Sequence, residues 1–363
     1  MLAHLDMDEG ESNVMMTGGP DGDLGANQIQ SGRGRICLIV DGGSVLYDPD
    51  GLDRGELLKL AMARHTSPRL NSLAYPAERL GPRAFRVPRA PGSATLPDGT
   101  TIDDGAYFHR TFLTDPASRR WVEAANIEVF VPCGGYKDTI NAGNVRGFVD
   151  LFGELRVIVE GANVFFDNTA REVIARDTEI LQIRDSTANK GGVTCSSVAE
   201  ILAALLLEDE YEAVLVEDPA TRCELVRAVL QLIARNAEAE TGMLLALHQS
   251  TGKPLYALSV ETSEELFALQ DTLYGHLPRI LGDQGLVEAA LQAYIPAVLL
   301  ERVGMERVLQ RLGHTAVRSY RDAILTKKLA AMALYQHAAD WEEFTRRLQA
   351  DLRGALAEVV AAG

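Results

Sequence analysis

Between Val14 and Gly25 a short apolar run breaks into glycines and then returns to helix-forming residues: Val14-Met-Met-Thr-Gly-Gly-Pro-Asp-Gly-Asp-Leu-Gly25. A second apolar run, Ile36-Cys-Leu-Ile-Val-Asp41, ends in an acid. Few folds accept this pattern. Glycine permits positive φ and lets backbone N–H groups approach a pyrophosphate at a helix N-terminus. Strand, glycine turn, helix, strand and terminal acid form the opening of a dinucleotide-binding βαβ unit. A glycine turn alone is equally a tight turn without a ligand; the flanking elements and Asp41 favour the phosphate reading. Asp21 and Asp23 would repel phosphate and are expected to point away or cap the helix. Asp41 can accept both ribose hydroxyls of an adenosine and would repel a 2′-phosphate, favouring NAD over NADP. Its alternative role is to cap the next turn.

The 363 residues suggest two domains, and a 47% hydrophobic content supports substantial cores. A net charge of −16 disfavours general binding to nucleic acid or anionic membranes. No apolar run is read as approaching the roughly 20 residues that span a bilayer. Cys37, Cys133, Cys195 and Cys223 are scattered, which argues against a disulfide framework and for a reduced intracellular compartment. The histidines show no zinc-ligand spacing. The acidic N-terminus lacks the features of a signal or transit peptide.

Residues 14–64 read as strand, glycine-rich turn, short helix, strand, a second turn over Gly42–Gly51, and a helix with Asp53 as N-cap. Residues 65–114 hold most of the early prolines and read as an insertion of short β pieces with low helix content. Strands at 127–132, 156–160 and 180–183 then alternate with helices near 116–125 and 168–176. A loop at Asn189–Val193 is expected before a helix at about 196–207. This implies an α/β, Rossmann-like, doubly wound and mostly parallel sheet over residues 1–207. Residues 208–363 read as an all-helical C-terminal domain, with helices near 219–245, 263–281, 284–303, 313–337 and 340–361. No metal, nucleophile or phosphate motif is legible there.

Cys133-Gly134-Gly135 follows a strand, where a cofactor ring could come close; no base near Cys133 would make it a nucleophile. Glu160-Gly-Ala-Asn163 and the loop from Asn189 to Ser196 follow two further strands. Asparagine suits ribose and carboxamide, and Ser196 could bond a carboxylate beside helix N-terminal N–H groups. Singly, each is more often a cap or turn residue; together they place polar groups at one edge of the sheet.

Taken in order, GGPDGDLG, VDGGSVLYDPDGLD, VFVPCGG, VEGAN and ANKGGVTCSS resemble the nucleotide-binding half of glutamate dehydrogenases. The LPDGTTIDDG segment and the glycine loop resemble the large NAD-specific class. The resemblance covers roughly residues 13–207. It implies hydride transfer between NAD and L-glutamate, giving 2-oxoglutarate and ammonia. By position, Gly19, Gly22 and Gly25 would hold the pyrophosphate and Asp41 the adenosine ribose. Gly134 and Gly135 would lie beside the cofactor. Asn163 and Asn189 would meet the nicotinamide ribose or carboxamide, and Ser196 the substrate carboxylate. The family's substrate domain precedes this half and supplies the catalytic lysine in a glycine-rich segment. None of Lys59, Lys137, Lys190, Lys253, Lys327 and Lys328 has that setting, so no catalytic residue and no metal ligand is assigned. The chain is expected to be a piece of the whole enzyme, inactive alone, and to assemble with itself or with the missing domain. Mitochondrion and cytoplasm stay open as its compartment. The alternatives are a leucine, phenylalanine or valine dehydrogenase, and a non-catalytic NAD-binding regulatory module.

Overall fold

A computed structural model describes residues 1–64 and 70–362. The first five residues of the expected insertion, 65–69, lie outside the described residues. The chain divides into two compact units, Met1–Asn189 and Lys190–Gly363.

The first unit is built on a seven-stranded sheet among the described residues. Its strands are β1 (Asn13–Thr17), β2 (Arg35–Val40), β3 (Ser44–Tyr47), β4 (Phe85–Pro88), β7 (Val129–Pro132), β8 (Val157–Val159) and β9 (Leu181–Ile183). A separate two-stranded ribbon holds β5 (Ala94–Thr95) and β6 (Thr101–Ile102). The main sheet runs β4-β3-β2-β1-β7-β8-β9. The five strands from β2 to β9 pair in parallel, while β3 and β4 are antiparallel additions. Helices α1 (Asp23–Ser31), α2 (Arg54–Ala63), α3 (Gly105–Thr111), α4 (Arg119–Ala125), α5 (Val145–Leu151), α6 (Asn168–Asp177) and α7 (Asp185–Ala188) complete it.

The period-2 alternation of strands sorts the side chains. Val14 and Met16 of β1 pack with Ala26, Ile29, Leu57 and Leu60 of α1 and α2, while Met15 joins Phe130 and Phe148 on the other face. Asp53 caps α2, its side chain accepting from Glu56 N at 3.1 Å. The expected turn over Gly42–Gly51 is corrected: Ser44–Tyr47 form a buried strand. A hairpin returns β2 into β3, and β3 pairs with β4 from Ser44↔Pro88 to Tyr47↔Phe85. The turn residues around Ser44–Tyr47 masked a strand whose second partner lies about forty positions on.

At the other side of the sheet a buried ion pair ties β8 to α6 and β9. Arg171 Nε and Nη2 donate to Glu160 Oε1 at 2.9 Å and Oε2 at 2.5 Å. Gln182 Nε2 donates to Glu160 Oε1 at 2.9 Å, and Arg171 lies 3.5 Å from Asp185. Burial pushes the Glu160 carboxyl up, against the pull of Arg171. Burial also opposes the Arg171 charge, but its bonds to Glu160 hold the guanidinium above its ordinary range.

The second unit is helical. A continuous helical run comprises α8 (Gly191–Cys195), a π-helical stretch over Ser196–Leu202, and α9 (Ala203–Leu207). The helix therefore starts at Gly191, where a loop was expected up to Val193. Val198, Leu202, Ala203, Leu206 and Leu207 belong to the core of this second unit. The span Asp185–Glu210 is long and apolar enough to cross a membrane by length and composition, with mean hydropathy 1.4 over an 18-residue window of which 28% is buried. It is not an uninterrupted apolar run, since Lys190, Ser196, Ser197 and Glu200 lie within it. Next come α10 (Pro219–Thr251), α11 (Leu255–Gly275), α12 (Leu277–Leu281), α13 (Gln284–Tyr294), α14 (Ala297–Val303), α15 (Met305–Gly313), α16 (Arg318–His337), α17 (Trp341–Ala350) and α18 (Leu352–Ala361). Three expected helices are each split in two, ending at short breaks such as Ile295-Pro296. Residues 305–313, expected to be mostly non-helical, form α15.

Replacing Arg171 by Met should lower stability by about 3–5 kcal/mol at neutral pH, because Glu160 is left buried without its counter-ion. In the variant the Glu160 pKa rises further above its ordinary 4.5. A raised carboxyl contributes stability below its unfolded value and loses it as pH rises. The deficit should therefore grow as pH is raised from about 4.5 to 7. Urea unfolding across that range reads it; a pH-independent deficit would contradict the ion pair.

Candidate functional site

The parallel strands reverse their order of addition between β1 and β7, which is where a doubly wound sheet opens a ligand crevice at its carboxyl edge. The glycine turn lies at this point. Gly18 has φ +76° and donates its N–H to Val40 O at 2.9 Å. A Cβ on Gly18 would sit 2.8 Å from Gly134 N, and one on Gly134 would sit 3.0 Å from Gly18 Cα. Thr17 Oγ1 donates to Gly134 O at 2.5 Å, and Cys133 N donates to Thr17 O at 2.7 Å. Backbone thus meets backbone across the switch point.

The other turn glycines have separate reasons. A Cβ on Gly19 would collide with the Asp41 carboxylate, and one on Gly25 with Gly19 O, so α1 packs directly on the turn. Gly22 is the N-cap of α1 and has ordinary room for a Cβ, with Gly19 O at 3.5 Å. The N-cap of α1 is itself a glycine and supplies no capping side chain to the first N–H groups of the helix. Asp23 is drawn away to Arg64, at 2.9 Å, and is exposed.

Asp41 is buried, and its carboxylate accepts from Gly43 N, Ser44 N, and both the N–H and the hydroxyl of Ser72. The capping alternative is thus present in the structure. His109 Nε2 lies 2.6 Å from Asp41 O, and burial pulls its imidazole below the ordinary histidine range. The segment after α2 therefore reaches the crevice edge at Ser72 and His109. Neither residue carries a local sequence signal, since their separations from Asp41 are 31 and 68 residues.

Beyond β7, burial pushes the Cys133 thiol up to about 12, so it is no nucleophile at neutral pH. Gly135 has φ +146°, and a Cβ there would meet the Phe165 ring. After β8, Asn189 Nδ2 donates to Gly161 O at 3.1 Å and to Asn163 Oδ1. The two expected asparagines are thus brought together. Their loop is shaped from beneath: Asp185 Oδ2 accepts from Val164 N at 2.7 Å, where Val164 adopts φ +50°. Burial raises the Asp185 carboxyl, but the Val164 and Ser186 N–H groups with Arg171 and Arg184 outweigh it and hold it below the usual range. Arg171 was legible as a charge on the buried face of α6, between Ala170 and Val173; the sequence reading passed over it.

Ser196 belongs to the second unit, is exposed, and opens the π-helical stretch inside a helix already begun at Gly191. The helix N-terminal N–H groups expected beside it lie a turn earlier. π-stretches in α-helices often mark functional positions. A cleft of about 310 Å³ lies instead at the amino edge of the first sheet, lined by Gly10, Arg33, Arg35 and Arg54. Among the described residues no group of three or more His, Cys, Asp or Glu could hold a metal.

The model of the Glutamate/Leucine/Phenylalanine/Valine dehydrogenase family matches residues 1–212. The chain is 35% identical over 344 residues to the probable NAD-specific glutamate dehydrogenase of Schizosaccharomyces pombe, covering 93% of this chain and 29% of that protein. It is 34% identical to glutamate dehydrogenase 2 of Dictyostelium discoideum, covering 94% and 32%. The NAD-specific glutamate dehydrogenase of Saccharomyces cerevisiae is 34% identical over 89% of this chain and 29% of that protein. The chain spans about a third of the length of these curated relatives. With more than half of its residues matched by the family model, this chain belongs to the glutamate/leucine/phenylalanine/valine dehydrogenase family.

Proposed function

We propose that this chain is the cofactor-binding part of an NAD-dependent glutamate dehydrogenase, which converts L-glutamate to 2-oxoglutarate and ammonia. The carrying observation is the switch point between β1 and β7, where Gly18 and Gly134 let backbone pack on backbone and the glycine turn leads into the start of α1. Relatives named NAD-specific glutamate dehydrogenases align with about nine tenths of the chain, which favours NAD, and glutamate over leucine, phenylalanine or valine. Gly19, Gly22 and Gly25 are read as the pyrophosphate cradle. Asp41 faces the adenosine ribose, and Gly134 and Gly135 flank the cofactor. The Asn163–Asn189 pair offers donors and acceptors to the nicotinamide ribose or carboxamide. Ser196 is read as meeting the substrate carboxylate. NAD, when bound, accepts the hydride.

Deamination also needs a positioned base or cation at the developing iminium. Lys59, Lys190 and Lys253 are paired with Glu56, Glu240 and Glu261. We read the catalytic lysine as lying outside these 363 residues, and turnover as requiring assembly with a substrate domain.

Titration of the chain with NADH, followed by nicotinamide fluorescence, should saturate. NADPH should bind about tenfold more weakly or worse, because its 2′-phosphate meets the Asp41 charge. No binding of either nucleotide would end the proposal, and equal binding would remove Asp41 from selection. Glutamate with NAD should yield no NADH above the blank. Clear production by the chain alone would overturn the dependence on an outside lysine.

A further inference from the structure

The acid at the end of β2 is held by a residue that no motif singles out. Asp41 is 5% exposed, and Ser44 and Ser72 are fully buried. Asp41 Oδ1 accepts from Gly43 N at 2.8 Å, Ser44 N at 3.1 Å and Ser72 Oγ at 2.5 Å. Oδ2 accepts from Ser72 N at 2.8 Å. An ionised carboxylate has about four acceptor sites, two on each oxygen. Oδ1, with three donors, is more than filled, and Oδ2, with one donor among the described residues, keeps one site. Oδ2 is also the atom that presses on Gly19, where a Cβ would strike it. The remaining acceptor thus lies beside the glycine turn.

The position of this carboxylate is set from the segment after α2. Ser72 supplies two of the four donors, and its Oγ lies 2.5 Å from Ser44 Oγ. Arg89 N donates to Gly43 O at 2.8 Å, and His109 Nε2 lies 2.6 Å from Asp41 O. The β2–β3 turn is pinned at three points by residues far along the chain.

We propose that Ser72 is a positioning residue of the dinucleotide site. It binds both oxygens of Asp41, and among the described residues Oδ2 keeps one open acceptor, which takes a single hydroxyl of the adenosine ribose. The two-hydroxyl recognition expected of a strand-end acid is thereby reduced to one. Ser72 acts through Asp41 and does not touch the cofactor. This inference rests on reading the crevice as the NAD site.

The test uses NADH and two analogues lacking either the 2′- or the 3′-hydroxyl of the adenosine ribose. One analogue should bind about tenfold more weakly than NADH and the other within about twofold. Loss with both, or with neither, overturns the single acceptor. In a second arm, Ser72→Ala should weaken NADH about tenfold while leaving reduced nicotinamide mononucleotide, which lacks the adenosine, unchanged. Unchanged NADH binding, or equal loss of both ligands, overturns the positioning role. If the unsubstituted chain binds no NADH at all, the functional reading itself falls; if it binds NADH and either arm fails, only this inference falls.

Discussion

The carboxyl edge of the sheet depends on the approach of Gly18 to Gly134. Parallel strands lie roughly 4.8 Å apart, and their ends normally carry side chains that fill or block the space above. Here neither residue at the switch point has a Cβ, and any Cβ would meet backbone at about 3 Å or less. The two turns therefore pack backbone on backbone because both side chains are missing. The positive φ of Gly18 then turns the chain from β1 toward α1, whose N-cap is Gly22. One steric constraint so places a tight turn and the partial positive charge of a helix start together.

Each side of the switch point rests on a carboxylate held by distant residues. On the β2 side, Asp41 is fixed by Ser72 and Ser44. On the β8 side, Glu160 is fixed by Arg171 and Gln182, close in sequence to Asn163, whose side chain accepts from Asn189. Buried charge is costly unless it is paired or hydrogen-bonded, and both acids have such partners.

Much of this was legible in the residues. The spacing of Gly18, Gly19, Gly22 and Gly25 announced a turn between strand and helix. Asp53 announced the start of α2, and alternating strands and helices announced the parallel sheet. These signals are local, arising from φ limits, capping and periodicity. The strand at Ser44–Tyr47 was hidden because its second partner, Phe85–Pro88, lies beyond another helix. The helix start at Gly191 was hidden because two glycines look like a loop, whereas packing of Val198 and Leu202 keeps the chain helical. Ser72 and His109 gave no sign, because an ordinary serine or histidine becomes part of a site only when folding brings it to Asp41.

The sequence by itself determined the family, the βαβ opening, and the glycines and asparagines that gather at the sheet edge. These follow from short-range geometry and from an ordered set of motifs. Only the tertiary structure decided how Asp41 spends its acceptors, which segment holds it, and that Ser196 sits within a helix rather than at its start. Those outcomes depend on contacts between residues 30 to 70 positions apart and on core packing, where burial makes each hydrogen bond count and no local pattern records the partner.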